Sequence, residues 1–229
     1  MRIGIIALGI TVHCLFAAPS PCQEQQPAAP VTSALRFFDA LSAMDPDSLL
    51  RALRTVPVSV QARELARATL PPEGALTPTR AEAKKLAALT PVLIYHERDQ
   101  SFDIKVIDLP QAFIGLHERA ILLISRPALK VLTASELQAL WAHELAHDFF
   151  WGEFEQAPHG NARQQLELQC DGIAALTLVA LGLDPTRLLA ATRKLDEFNK
   201  QFGTPSNVAD YPTPEDRQRF INALLRQRR

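Results

Sequence analysis

The chain has 229 residues, 47% of them hydrophobic and 21% charged, and its 24 Lys+Arg against 25 Asp+Glu leave a net charge of −1. That balance argues against a nucleic-acid binder, which carries a basic excess, and the high apolar content argues against a disordered chain. Three Cys over this length cannot build a disulfide framework. A Cys22–Cys170 bridge is permitted in an oxidising compartment, but nothing in the sequence calls for it.

Residues 1–18 read as a secretory signal peptide. Arg2 precedes an apolar run from Ile3 to Phe16, and Ala17 and Ala18 offer a small-residue cleavage region. The run is shorter than the roughly 20 apolar residues a membrane span needs. An uncleaved N-terminal anchor is the rival reading. No later segment is apolar enough to span a bilayer, so the expectation is an exported protein, periplasmic or secreted. Residues 19–30 are rich in Pro, Gln and Ala and read as a flexible leader. Residues 31–90 carry helical patterning and predict an N-terminal helical subdomain of three or four short helices. Asp45-Pro46 and Thr77-Pro78 each place a capping side chain before a Pro at a first helical position. Val60 to Leu70 and Ala81 to Leu89 have apolar residues at helical spacing.

The texture changes at Pro91, where a second domain, 91–229, is expected. Val92 to Tyr95, Phe102 to Ile107 and Ala120 to Ile124 are short β-branched and aromatic runs between turn residues, and Ala112-Phe113-Ile114 is a possible edge strand. After Pro127 helices resume. Thr133-Ala134-Ser135-Glu136 is a capping box opening a helix that stops near Gly152. A loop to Asn161 follows, then a long helix ended by Gly182, a helix from Asp184-Pro185 to about Lys200, and a last one capped by Thr213. The fold class is α+β, mostly helical, with a small three- to four-stranded sheet.

His143-Glu144-Leu145-Ala146-His147 lies inside the capped helix. Residues i and i+4 share one helix face, so both imidazoles can ligate one metal ion while Glu144, offset by about 100°, approaches a water without ligating. Imidazole suits zinc, and a catalytic zinc takes three protein ligands with one position open. Leu137, Leu140, Trp141, Leu145 and Phe149 make the helix apolar, and two unpartnered His there would be costly. Glu153, six residues after His147, and Glu167, twenty residues after it, are the third-ligand candidates.

The segment resembles the gluzincin metallopeptidases, whose pattern is His-Glu-x-x-His followed on a later helix by Glu-x-x-x-Asp, here Glu167-Leu168-Gln169-Cys170-Asp171. The metzincin pattern is set aside, because Phe150 stands where it needs Gly and the only Met residues are Met1 and Met44. From Pro91 onward the order of segments is similar to the HtpX-like and CAAX-prenyl-endopeptidase-like family: Gln111-Ala112-Phe113, an apolar strand, the metal helix, the Glu-x-x-x-Asp helix, then Tyr211-Pro212 ahead of Arg217. Tyr211 replaces the family's usual His, and the family's flanking membrane helices are missing. The resemblance implies a zincin-like catalytic domain holding one Zn2+ on His143, His147 and Glu167. Asp171 would orient a ligand His, and Tyr211 or Arg217 would stabilise an oxyanion. Ala112, Phe113, Ile114 and Gly115 would bind an extended peptide.

The expected function is therefore a zinc endopeptidase that uses metal-activated water with Glu144 as general base, acting on a peptide or protein. The alternative is a catalytically inactive zinc-binding module that binds unfolded or partner proteins. Other residues take blander readings: His96 and His117 structural or exposed, Asp148 on the helix surface, His159 in a loop, Cys170 a small buried residue, Trp141 and Trp151 core.

Overall fold

The computed structural model describes residues 28–70, 75–203 and 209–228. The expected signal peptide and Cys22 lie outside the described residues. In chain order come α1 (Ala29–Ala40), α2 (Pro46–Leu53), α3 (Val60–Ala68), α4 (Arg80–Ala87), α5 (Thr90–Tyr95), β1 (Asp103–Ile107), β2 (Ile114–His117) and β3 (Ile121–Ser125). Then follow α6 (Arg126–Val131), α7 (Ala134–Phe149), α8 (Trp151–Gln156), α9 (Asn161–Ala180), α10 (Thr186–Asn199), a 3-10 turn (Lys200–Phe202) and α11 (Pro214–Gln227). The chain is mostly helical with one small mixed sheet, an α+β arrangement.

Side-chain caps set most of the helix starts. Asp45 accepts the Ser48 amide at 2.9 Å with Pro46 in the first turn, and Thr133 and Glu136 form a reciprocal capping box on α7. A second such box, Thr79 with Glu82, opens α4, so the cap there is Thr79 and not Thr77. Three residues after Thr77 stands Arg80, which has no carboxylate to return to the cap amide. Gly182 ends α9 at φ 69°, with the Leu183 amide reaching the Leu178 carbonyl at 2.7 Å.

Two local expectations fail. Val92 to Tyr95 is helix rather than strand, because Pro91 fits the first turn of α5 and the side chains do not alternate. Val92 and Leu93 are both buried while Ile94 faces outward. The expected loop after Gly152 instead contains α8, closed by Phe154 N–H on the Phe150 carbonyl at 2.9 Å and Ala157 N–H on Glu153 at 2.8 Å. The Phe154 ring rests on His147, with centroids 4.6 Å apart, which gives this short helix a packed face.

The sheet has strand order β1-β3-β2, with β1 parallel and β2 antiparallel to β3. The edge strand begins at Ile114, two residues later than the Ala112 start expected from sequence. Every residue of β3 is buried. Beneath the sheet, α7 and α9 pack together, and α1 packs on α9 so that Val31, Ala34, Phe38, Leu49 and Leu50 join the same apolar core. Helix α1 begins at Ala29, inside the stretch read as leader.

Gly172 sets how closely α1 can approach. A Cβ there would lie 2.4 Å from Phe38 Cε2 and Cζ. Gly172→Ala should therefore push Phe38 out of its place and lower stability by about 1–3 kcal/mol, despite Ala's higher helix propensity. A denaturant midpoint at or above that of the unmutated chain would contradict this packing.

Candidate metal centre and cleft

Three elements converge on one buried point. Helix α7 presents His143 and His147 one turn apart, their rings edge-on with centroids 4.9 Å apart. Helix α9 presents Glu167 and Asp171, also one turn apart, and α11 presents Arg217; all five side chains are nearly covered. The Glu167 carboxylate faces both imidazoles, with Oε2 3.3 Å from His143 Nε2 and Oε1 3.8 Å from His147 Nε2. Behind His143, Nδ1 lies 2.9 Å from Asp171 Oδ1, off the line of an aligned hydrogen bond. Cys170 Sγ sits 3.8 Å from His147 Nδ1, a buried small side chain against α7. Arg217 donates to both carboxylates, through Nη1 to Asp171 and through Nη2 to Glu167 Oε2 at 3.3 Å.

Ligand atoms of His143, Glu144 and His147 lie within 4.8 Å of one another, a group that could hold a metal ion. The electrostatics separate the members. Burial opposes a charge on His143, but the Asp171 and Glu167 carboxylates overcome it and lift the imidazole to about 10. His147 goes the other way: burial brings it down to about 4, against the pull of Glu167. Glu167 is buried too, yet its hydrogen bond to His143 and the charges of His147 and Arg217 hold it at about 2. Glu144 is raised to about 7, chiefly by burial and with Glu167 adding to it, while His143 and the Leu116 amide work against the rise.

These residues open onto a cleft of about 1060 Å³. One wall is the edge strand with Ala112, Phe113, Ile114 and Gly115; others come from Trp151 and Phe154, from Leu195 and Asn199, and from Tyr211 with Pro212. Gly115 leaves room for the Phe113 ring, whose Cζ would stand 2.6 Å from an added Cβ. Tyr211 is about half exposed, and burial together with the charges of Glu167 and Glu144 raises its phenol. Its segment is anchored by Asp210, which accepts from the Gly160 amide at 2.8 Å and lies 2.6 Å from His159 Nδ1.

The strand's hydrogen-bonding parity decides which of its residues can meet a ligand. Ser125 N–H donates to the Phe113 carbonyl at 2.9 Å and the Ser125 hydroxyl accepts the Phe113 amide at 2.9 Å, so Phe113 faces β3. By the antiparallel register Gly115 and His117 do the same, and Ile114 and Leu116 point away from β3 into the cleft. The Leu116 amide faces Glu144. Ala112, of the same parity, is already engaged: its N–H and carbonyl both bond the Asn199 carboxamide, at 2.8 and 2.9 Å. Of the four residues expected to bind a peptide, Ile114 alone turns both backbone groups to the open cleft.

Two residues behave differently from their sequence readings. Asp148 is not on the surface: it is buried and takes Arg98 at 3.1 Å, Arg119 at 2.7 Å and the Thr55 hydroxyl at 2.8 Å. Trp151 is half-buried at the cleft rather than in the core. Glu153, whose metzincin pattern was already set aside, is exposed on α8. His96 is buried, on the Thr177 hydroxyl at 2.9 Å, and His117 is hydrogen-bonded to Thr69 at 3.2 Å. Sequence reading missed Asn199 and Asp210. An Asn at the end of a helical run and an Asp before Tyr-Pro are ordinary surface residues until the fold brings distant backbone to them.

Compared with models of protein families and with curated proteins, the chain matches none.

Proposed function

We propose that this chain is a zinc-dependent endopeptidase of the gluzincin type, with His143, His147 and Glu167 holding one zinc ion per chain and Glu144 as general base. The observation that carries the reading is the approach of both Nε2 atoms to one carboxylate, at 3.3 and 3.8 Å. Ligands bonded at about 2.0–2.2 Å in a tetrahedron stand roughly 3.3–3.6 Å apart; the His143 distance falls in that range, and the His147 distance, to the other carboxylate oxygen, lies just beyond it. Two imidazoles and a carboxylate suit zinc, and once the ion displaces the Nε2 proton of His143, Asp171 beside Nδ1 would hold the remaining one. Glu167, held low by His143, His147 and Arg217, is ionised, as a ligand must be, and His143, whose imidazole the Asp171 and Glu167 carboxylates hold protonated, would give up its Nε2 proton as the ion binds.

A zinc ion there would polarise the scissile carbonyl and bring the pKa of a water toward about 7. Glu144 takes the proton of the attacking water and passes it to the leaving amine. Tyr211, at the cleft wall, donates its phenol to the developing oxyanion. Arg217 is committed to Asp171 and Glu167, so it positions these carboxylates instead of touching substrate. The peptide pairs with the outward backbone groups of Ile114. The apolar N-terminal segment supports export, and among the described residues no helix is long and apolar enough to cross a membrane.

Chelation tests the proposal. Hydrolysis of unstructured peptides should vanish with a zinc chelator and return on adding zinc. Hydrolysis that persists in excess chelator would overturn it.

A further inference from the structure

The Asn199 clasp bears on which peptides this cleft can take, an inference that rests on the peptidase reading above. A carboxamide is chemically a peptide group. On Ala112 it makes the two bonds, one accepted at 2.8 Å and one donated at 2.9 Å, that a paired substrate residue would make. Both polar atoms of the Asn199 carboxamide are engaged, on a residue fixed at a helix end. It is the last residue of α10, which packs against α7 through the buried Leu188 and Ala191. The clasp therefore closes the cleft-facing edge at Ala112, and Glu144 meets the same edge at Leu116. Between them lies Ile114, two residues, or about 7 Å, from the clasp.

A peptide advancing along this edge reaches Asn199 and must stop or displace it. Displacement exchanges two hydrogen bonds for two of the same kind, with little net gain. It also orders one more substrate residue, which costs conformational entropy. Stopping is the favoured outcome. We propose that Asn199 is a specificity-determining residue that ends the paired substrate track on one side of Ile114, so that this endopeptidase favours internal bonds of short peptides, or bonds a few residues from one end of a longer chain, over those in the middle of a long polypeptide.

The test reads binding, so that it does not depend on turnover. Zinc-loaded Glu144→Gln protein is titrated calorimetrically with unstructured alanine–leucine peptides, lengthened one residue at a time from either end. Extension at one end should be tolerated throughout, while extension at the other should weaken binding about tenfold once the chain reaches Asn199. In the double variant that also carries Asn199→Ala, the weakening at that length should disappear. In parallel, backbone and side-chain amide spectra of the Glu144→Gln protein should show Ile114 shifting on peptide addition while the Asn199 carboxamide and Ala112 do not. Equal tolerance at both ends, an Asn199 carboxamide that shifts with Ile114, or no binding at any length would each overturn the proposal. Loss of the peptidase reading would show separately, as an unmutated enzyme that hydrolyses none of these peptides.

Discussion

Glu144→Gln should leave the metal content of the chain unchanged and lower peptide hydrolysis by roughly 10²–10⁴-fold, the usual worth of a positioned general base. The substitution keeps the side chain's shape and an oxygen able to accept the Leu116 amide, so the cleft should not rearrange. What it removes is the buried carboxylate that would take the water's proton, its basicity raised by burial. Equal hydrolysis in the variant, measured with metal content matched, would remove Glu144 from the mechanism. Equal loss of metal and activity would instead make Glu144 a ligand, the other role that its distance from the two His permits.

Asp148→Ala should be among the most destabilising single changes in the chain. Asp148 and Arg98 are each 2% exposed in their side chains, and Arg119 and Thr55 complete the cluster. Removing the carboxylate strands a buried guanidinium, which costs about 3–5 kcal/mol when one partner of such a pair is lost. For a domain of this size that corresponds to a fall in melting temperature of roughly 10 °C. The cluster ties α7, just past His147, to the β2–β3 turn, where Glu118 and Arg119 both have positive φ, at 48° and 55°. Neither residue is one that adopts this conformation readily, and the Arg119–Asp148 bond at 2.7 Å helps to hold it. An unchanged melting temperature would show that the cluster contributes nothing to folding.

What the sequence reveals and what it hides divide along chain distance. The capping box at Thr133, the i, i+4 pair of His on one helix face, and Glu167 with Asp171 a turn apart are local patterns, readable because a helix repeats every 3.6 residues. Their convergence needed only two helices to pack face to face. Val92 to Tyr95 reads as a strand in sequence and is helix for a physical reason: a short apolar run fits a buried strand or one turn of a buried helix, and the preceding Pro decides for the helix. Asn199 on Ala112 and Asp148 with Arg98 join residues far apart in sequence, 87 and 50 positions respectively, and no periodicity encodes such pairs. The edge strand shows both halves of the lesson. Its apolar character was legible, but which of its residues face the cleft depends on its register with β3.

Whether α7 and α9 together hold one metal ion is tested most directly by the zinc stoichiometry of the purified chain beside a Glu167→Ala variant. About one zinc per chain is expected, largely lost in the variant, since a three-ligand site reduced to two His binds weakly. One zinc in both proteins would contradict the assignment of Glu167 and make Glu144 the third ligand. No zinc in the unmutated chain, even after zinc is added, would contradict the metal centre itself.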